Sequence, residues 1–286
     1  MTEANSGSDV LRPITIAGAL DALGGGRQIM AGATWLMRAP VRGEAPPKAA
    51  VLIGSIPELQ QISIGQDQVT LGAGVTHTKL AEALAGVPAL KGLVTAASRA
   101  ANPPIRAVAT LGGNLCTAAF AAGDLSPQLL ALDARVTYAT KDGTQDMDMS
   151  QFLAARGNLS GGLLTRVRIP LGNFRSAHAR LPLRKAGDYP VAIVSARMDQ
   201  NESLMRRVRI AVGSVEATPR RWSGLEAALE GQPYDLKAIA DSAGSLTNEF
   251  TGRDGVEADG WYRTKVLPAL VRQVFEDLSM QFAERP

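Results

Sequence analysis

The chain has 286 residues, 45% of them hydrophobic, and 30 Lys+Arg against 27 Asp+Glu give a net charge of +3. That length holds one large or two modest domains, that apolar content rules out a wholly disordered chain, and the near-balance of charge leaves no basic footprint for nucleic acid. A single cysteine, Cys116, excludes an intrachain disulfide, an all-cysteine zinc site and an iron–sulfur cluster held by this chain alone, and with only His77 and His178 a His-rich metal site is excluded as well.

Residues 1–9 are polar and read as a loose tail. With no apolar signal core there and no apolar run approaching ~18 residues, the expectation is a cytoplasmic protein without a transmembrane segment. Redox chemistry in such a chain needs a bound cofactor.

In chain order, residues 14–23 predict a helix that stops at Gly24-Gly25-Gly26. Residues 28–31 form a short strand running into Gly32, and residues 49–53 a second. Ser55 and Glu58 have the spacing of a capping box, with Pro57 in the first turn. Residues 69–75 alternate as a strand, and Thr76 caps a helix over 79–84. After a Gly/Ala-rich loop, Ser126-Pro127 start a helix over 128–133. Leu163, Thr165, Val167 and Ile169 alternate with Leu164, Arg166 and Arg168 as a half-buried strand. Residues 170–176, with Gly172 and Asn173, mark the domain boundary. Beyond it come strands over 191–198 and 206–215, a helix capped by Ser223 and Glu226 that stops at Gly231, and a long helix over 261–283. Strands followed by helices give an α+β second domain.

Two glycine-bearing segments carry the chemistry. The first is Ala31-Gly32-Ala33-Thr34-Trp35-Leu36, the second Thr110-Leu111-Gly112-Gly113-Asn114-Leu115-Cys116. Glycine lets backbone approach a ligand closely, and successive N–H groups then form a concavity that suits a pyrophosphate. No lysine follows Gly113 and no G-x-G-x-x-G is present, so neither segment is a Walker loop or a Rossmann fingerprint. Read alone, each segment is equally a tight turn between strands.

In this order and about 80 residues apart, the pair resembles the FAD-binding subunits of molybdenum hydroxylases, the xanthine dehydrogenase and carbon monoxide dehydrogenase family. That family's first loop is A-G-G-T/H-D/S-L. Its second is R-N-x-A/G-T-I/L/V-G-G-N-L/I, to be set against Arg106 to Leu115 here. The family then has an acidic residue and a helix P-x-L-L-A-L-D-A, here Asp124 and Pro127 to Ala134. Gly162 to Pro170 resembles the strand closing its FAD domain, and Arg184 to Ala192 its R-x-x-D-Y/F-P segment with one extra residue. Gly213 to Pro219 and Tyr262-Arg263 resemble motifs of its C-terminal domain.

The resemblance implies an α/β (α+β) fold. Residues 1–174 would form a two-subdomain FAD-binding domain of the PCMH type, and residues 175–286 a small C-terminal domain of the carbon monoxide dehydrogenase flavoprotein type. It implies that Ala31, Gly32, Ala33, Thr34 and Trp35, with Thr110, Gly112, Gly113 and Asn114, wrap the FAD pyrophosphate. Thr34 and Thr110 would donate hydroxyls and Asn114 its amide. Asp124 would bind an FAD hydroxyl or fix its loop, Leu164 would pack on the flavin, and Lys185 and Asp188 would lie near the isoalloxazine, with Lys185 stabilising the reduced flavin. The implied partners are a large molybdopterin-binding subunit and a small subunit with two 2Fe–2S clusters, in a dimer of heterotrimers. FAD would take electrons from the clusters and pass them to an external acceptor, in the cytoplasm or at the inner face of the membrane.

Some residues depart from the family pattern. Ala33 replaces the second glycine, so it must tolerate its Cβ or take a negative φ. Trp35 replaces a small polar residue and Ala107 an asparagine, and one extra residue separates Asn114 from Asp124. Plainer readings also stand: His77 as a cap or packing residue rather than a flavin-facing one, Cys116 as a small buried residue, Trp35 as packing, and Arg206, Arg207, Arg209, Arg220 and Arg221 as solvated faces rather than a partner contact. A stand-alone FAD-dependent reductase or oxidase on the same scaffold, and a structural subunit that has lost its flavin, remain the alternatives.

Overall fold

The computed structural model describes residues 9–183, 189–201 and 204–283. Lys185 and Asp188 lie outside these residues. No described helix is long and apolar enough to cross a membrane.

Three sheets carry the fold. The smallest is parallel, in the order β1 (Asp9–Leu11), β3 (Ala49–Leu52), β2 (Gln28–Met30). Residue 9, read as tail, is thus the first residue of an edge strand paired with Ala49. Helix α1 (Ile16–Ala22) joins β1 to β2, with Thr15 accepting the Gly18 N–H as its cap.

The second sheet is antiparallel, in the order β4 (Ile62–Ile64), β5 (Gln68–Gly72), β8 (Gly162–Pro170), β6 (Arg135–Thr140), β7 (Gly143–Asp148). Beyond Thr165, β8 alternates buried and exposed as its sequence requires, but Leu163, Leu164 and Thr165 are all buried. There β8 is covered on both faces, and its register with β6 shifts between Thr137 and Tyr138. Helices α2 (His77–Leu84), α3 (Lys91–Arg99), α4 (Pro103–Val108), α5 (Leu111–Cys116), α6 (Leu125–Ala131) and α7 (Met149–Ala155) belong to this part of the chain. One apolar core formed by Val69, Leu71, Leu80, Leu93, Leu111, Leu129, Phe152 and Val167 joins the sheet to all of these but α4.

The third sheet is antiparallel, in the order β12 (Arg220–Arg221), β11 (Leu204–Gly213), β10 (Pro190–Asn201), β9 (Arg175–Pro182). Its core is shared with α8 (Ser223–Leu229), α9 (Leu236–Ser245) and α11 (Leu267–Ala283).

Several sequence expectations change. The last helix is two, α10 (Gly260–Lys265) and α11, because Pro268 has no N–H to continue the first ladder and sits naturally in a first turn. Ser55 and Ser223 cap nothing: the capping positions fall on Ile56 and the buried Trp222, without side-chain bonds. Glu226 instead accepts the Ile210 N–H at 2.8 Å and pairs with Arg221, tying α8 to β11. The helix expected over 128–133 starts at Leu125 and ends at Ala131. The basic strand face is pinned only in part: Arg197, Arg209 and Arg221 converge on Asp133, while Arg206 and Arg207 are exposed as expected, Arg207 pairing with Asp199 at the surface.

Candidate functional site

The two glycine segments converge in space. A Cβ built on Gly32 would lie 1.9 Å from the Val108 carbonyl oxygen, so the first bend lies against the turn that enters the second. This is close packing that only glycine permits. The segments border one cavity of about 730 Å³, within the range of cofactor sites.

The first bend follows β2 and turns into a short 3₁₀ helix, where Met37 N–H donates to Ala33 O at 2.9 Å. Among the described residues, the amides of Gly32, Ala33 and Thr34 donate to no acceptor. Ala33 takes φ +58°, so the negative-φ option is not used and the methyl is held in the left-handed region. Trp35 packs as one wall. Its ring lies 4.9 Å from Phe120, which meets Tyr189 at 5.1 Å, while the Arg42 guanidinium sits 4.1 Å over Trp35 and Arg38 donates to the Tyr189 hydroxyl at 2.7 Å.

The second segment is not an open loop but the first turn of α5. Its amides are all taken: Leu111 N–H by Val75 O (2.8 Å), Gly112 by Ala73 O (2.7 Å), Gly113 by the Thr110 hydroxyl (3.1 Å) and Asn114 by Thr110 O (3.0 Å). The concavity of N–H groups expected here is therefore absent. The donors of this helix start are satisfied by the segment at Ala73 and Val75 and by the Thr110 cap instead. Gly112 is set by that packing, since its Cβ would stand 2.9 Å from Ala73. Gly113 meets only the Thr110 hydroxyl at 3.0 Å and borders the cavity. Thr110, acting as acceptor, keeps its own proton to donate.

Asp124 and Leu164 border the same cavity and are buried. Cys116 lines the cavity rather than being packed away, a correction that follows from its place at the last turn of α5. The enclosing walls push its thiol up to about 12.

Residues that the sequence did not single out also line the cavity: Arg38, Phe120, Tyr138, Arg156 and Leu163. The one available signal was Phe120, a lone aromatic in a Gly/Ala-rich stretch. His77, at the first position of α2, lines the cavity too. Burial lowers its pKa to about 4, and neither ring nitrogen has a partner. The Asn114 amide oxygen and Arg156 Nη2 are likewise buried and unpartnered. Other such atoms lie elsewhere in the fold, but those of His77, Asn114 and Arg156 face one cavity, and beside the free amides of a glycine bend they fit a large polar ligand such as a dinucleotide.

Comparison with known proteins agrees with that geometry. Residues 5–172 match the family described as the FAD binding domain in molybdopterin dehydrogenase, and residues 174–278 the CO dehydrogenase flavoprotein C-terminal domain. The chain is similar to the xanthine dehydrogenase FAD-binding subunit of Escherichia coli O157:H7, 25% identical over 232 residues and 79% of each chain. It is also similar to the nicotine 6-hydroxylase medium subunit of Paenarthrobacter nicotinovorans, 25% identical over 249 residues, 86% of this chain and 87% of that one. Its fold matches reconstituted CO dehydrogenase from Oligotropha carboxidovorans with a TM-score of 0.88 at 24% identity, covering 98% of this chain and 100% of that chain. The chain thus belongs to the FAD-binding family of the molybdopterin dehydrogenases, and is an FAD-binding oxidoreductase subunit of the molybdenum hydroxylase type.

Proposed function

We propose that this chain is the electron-exit subunit of its enzyme. It takes electrons from the 2Fe–2S clusters of a small partner subunit, fed by a molybdenum cofactor in a large one, and passes them to an external acceptor. Bound FAD supplies the junction, accepting electrons singly and releasing them in pairs. The observation that carries the reading is the cavity at which the two glycine segments meet.

In this proposal Gly32, Ala33 and Thr34 give main-chain amides to the diphosphate, with Ala31 and Trp35 framing the bend. Thr110 gives its hydroxyl, Asn114 its side-chain amide, and Gly112 and Gly113 leave the room. Asp124 accepts from the cofactor, Leu164 packs on the flavin, and Lys185 places positive charge beside it. The domain division falls between residues 174 and 175, FAD is held without a covalent bond, and the assembly is a cytoplasmic dimer of heterotrimers.

The complex purified through this chain is expected to carry stoichiometric FAD together with molybdenum and iron. Gly113→Val, which puts a branched side chain where only glycine now borders the cavity, is expected to remove the FAD while leaving the chain folded. A folded Gly113→Val complex with full FAD content overturns the loop assignment. A yellow chain that never associates with molybdenum and iron subunits would replace the proposal with a stand-alone flavoenzyme.

A further inference from the structure

Asp124 poses a physical problem. Its carboxylate is 3% exposed, and a charge so buried needs compensation. The compensation comes from the C-terminal sheet. Arg180 Nε on β9 lies 2.9 Å from Asp124 Oδ1, and His178 Nε2 on the same strand lies 3.3 Å from it. His178 Nδ1 is 2.9 Å from the hydroxyl of Ser195, its direct cross-strand partner on β10. A carboxylate only accepts, so Nε2 carries a ring proton and donates it to Asp124, while Nδ1 shares a hydrogen bond with the Ser195 hydroxyl. Arg180 balances the charge, and the imidazole adds direction.

The order Ser195, His178, Asp124 is that of a hydrolytic triad, but its polarity is reversed. Ser195 is 0% exposed and His178 1%, both inside the sheet, while Asp124 and Arg180 border the cavity. A sealed serine attacks nothing, so the chain of bonds does not serve acyl transfer. Its open end is the acid.

We propose that His178 is a positioning residue for the cofactor. Through it the C-terminal sheet aims Asp124, an acceptor for hydroxyl or N–H groups of the dinucleotide, from a side chain that does not itself line the cavity. The proposal rests on the reading that FAD fills the cavity. It makes the site incomplete without the second domain.

The test is a double-mutant cycle in the assembled complex, stripped of flavin and titrated with FAD. His178→Leu keeps the volume and removes both hydrogen bonds, and is expected to weaken FAD binding roughly 10-fold or more, as for loss of a hydrogen bond to a charged group. In the Asp124→Asn background the same change is expected to have little further effect, because it acts through the carboxylate. Ser195→Ala, a smaller change, is expected to weaken binding only a few-fold, and again only when Asp124 is present. An unaltered FAD affinity in His178→Leu, an equal loss in both backgrounds, or an Asp124→Asn complex that binds FAD like the wild type overturns the proposal. If His178→Leu does not fold, the Ser195→Ala cycle decides by the same criterion. A wild-type complex that binds no FAD fails the underlying reading, and does so before any variant is made.

Discussion

The two glycine segments reach one cavity with opposite resources. Residues 31–35 lie outside any sheet, half-exposed, and among the described residues the amides of Gly32, Ala33 and Thr34 have no acceptor. Residues 110–114 begin a helix, and every amide from Leu111 to Asn114 is bonded within the protein. The difference follows from burial. Leu111 and Gly112 lie in the core beside Ala73 and Val75, where an orphan N–H would cost roughly 1–3 kcal/mol, whereas the first bend is wet enough to keep donors free. Similar composition therefore encodes two roles: a bend that keeps main-chain donors free, and a rigid platform that offers a hydroxyl, an amide and empty space.

Gly32→Ala attacks the point where the two regions touch and is expected to have the largest effect. A Cβ 1.9 Å from the Val108 oxygen cannot be absorbed without separating the segments. A loss of about 3 kcal/mol or more in denaturant unfolding is expected, together with loss of flavin. Wild-type stability in that variant would mean that the bend yields freely and the convergence is unimportant.

His77 tests the second region through pH. Burial holds its pKa near 4, with Asp124 raising it and Arg106 lowering it. The unfolded chain protonates near 6.5, so it binds a proton that the folded chain refuses. This contribution to stability is complete above pH 6.5 and is lost as pH falls toward 4. Between pH 7.5 and 5 it amounts to about 2 kcal/mol. Urea titrations should show that loss in the wild type, and a shallower dependence in His77→Leu; equal slopes in the two would count against a buried neutral ring.

The smallest effect belongs to Ala33. Replacing it with glycine relieves the methyl at φ +58° and is expected to raise stability by up to about 1 kcal/mol, partly offset by the freer unfolded chain. A destabilised Ala33→Gly would show that the methyl makes a packing contribution larger than its strain.

The sequence made the strands legible where one face is buried, as in the outer half of β8, and it made both glycine segments visible. Helices α3, α4, α7 and α9 went unread: α3 has no side-chain cap, and the capping residues Asn102, Asp148 and Asp235 of the other three were passed over because their segments are short or lack a clear apolar period. The helical state of residues 111–116 was hidden for another reason. Two glycines argue against a helix locally, and only the acceptors of Ala73 and Val75, distant in sequence, complete it. The tether of Asp124 was equally out of reach, since His178, Arg180 and Ser195 show nothing in sequence of the carboxylate they face. Capping by Ser55 and Ser223 failed because the chain enters those helices on apolar anchors, Ile56 and Trp222, whose burial fixes the turn.

Amide hydrogen exchange of the complex with and without FAD measures the asymmetry of the two segments directly. Gly32, Ala33 and Thr34 should exchange rapidly in the flavin-free complex and slow at least about 10-fold on FAD binding, as expected for amides that gain an acceptor of order 1.5 kcal/mol. Leu111 to Asn114 should be protected in both states. FAD binding that leaves the first set unprotected, or that protects the second set alone, would contradict the division of labour between the two bends.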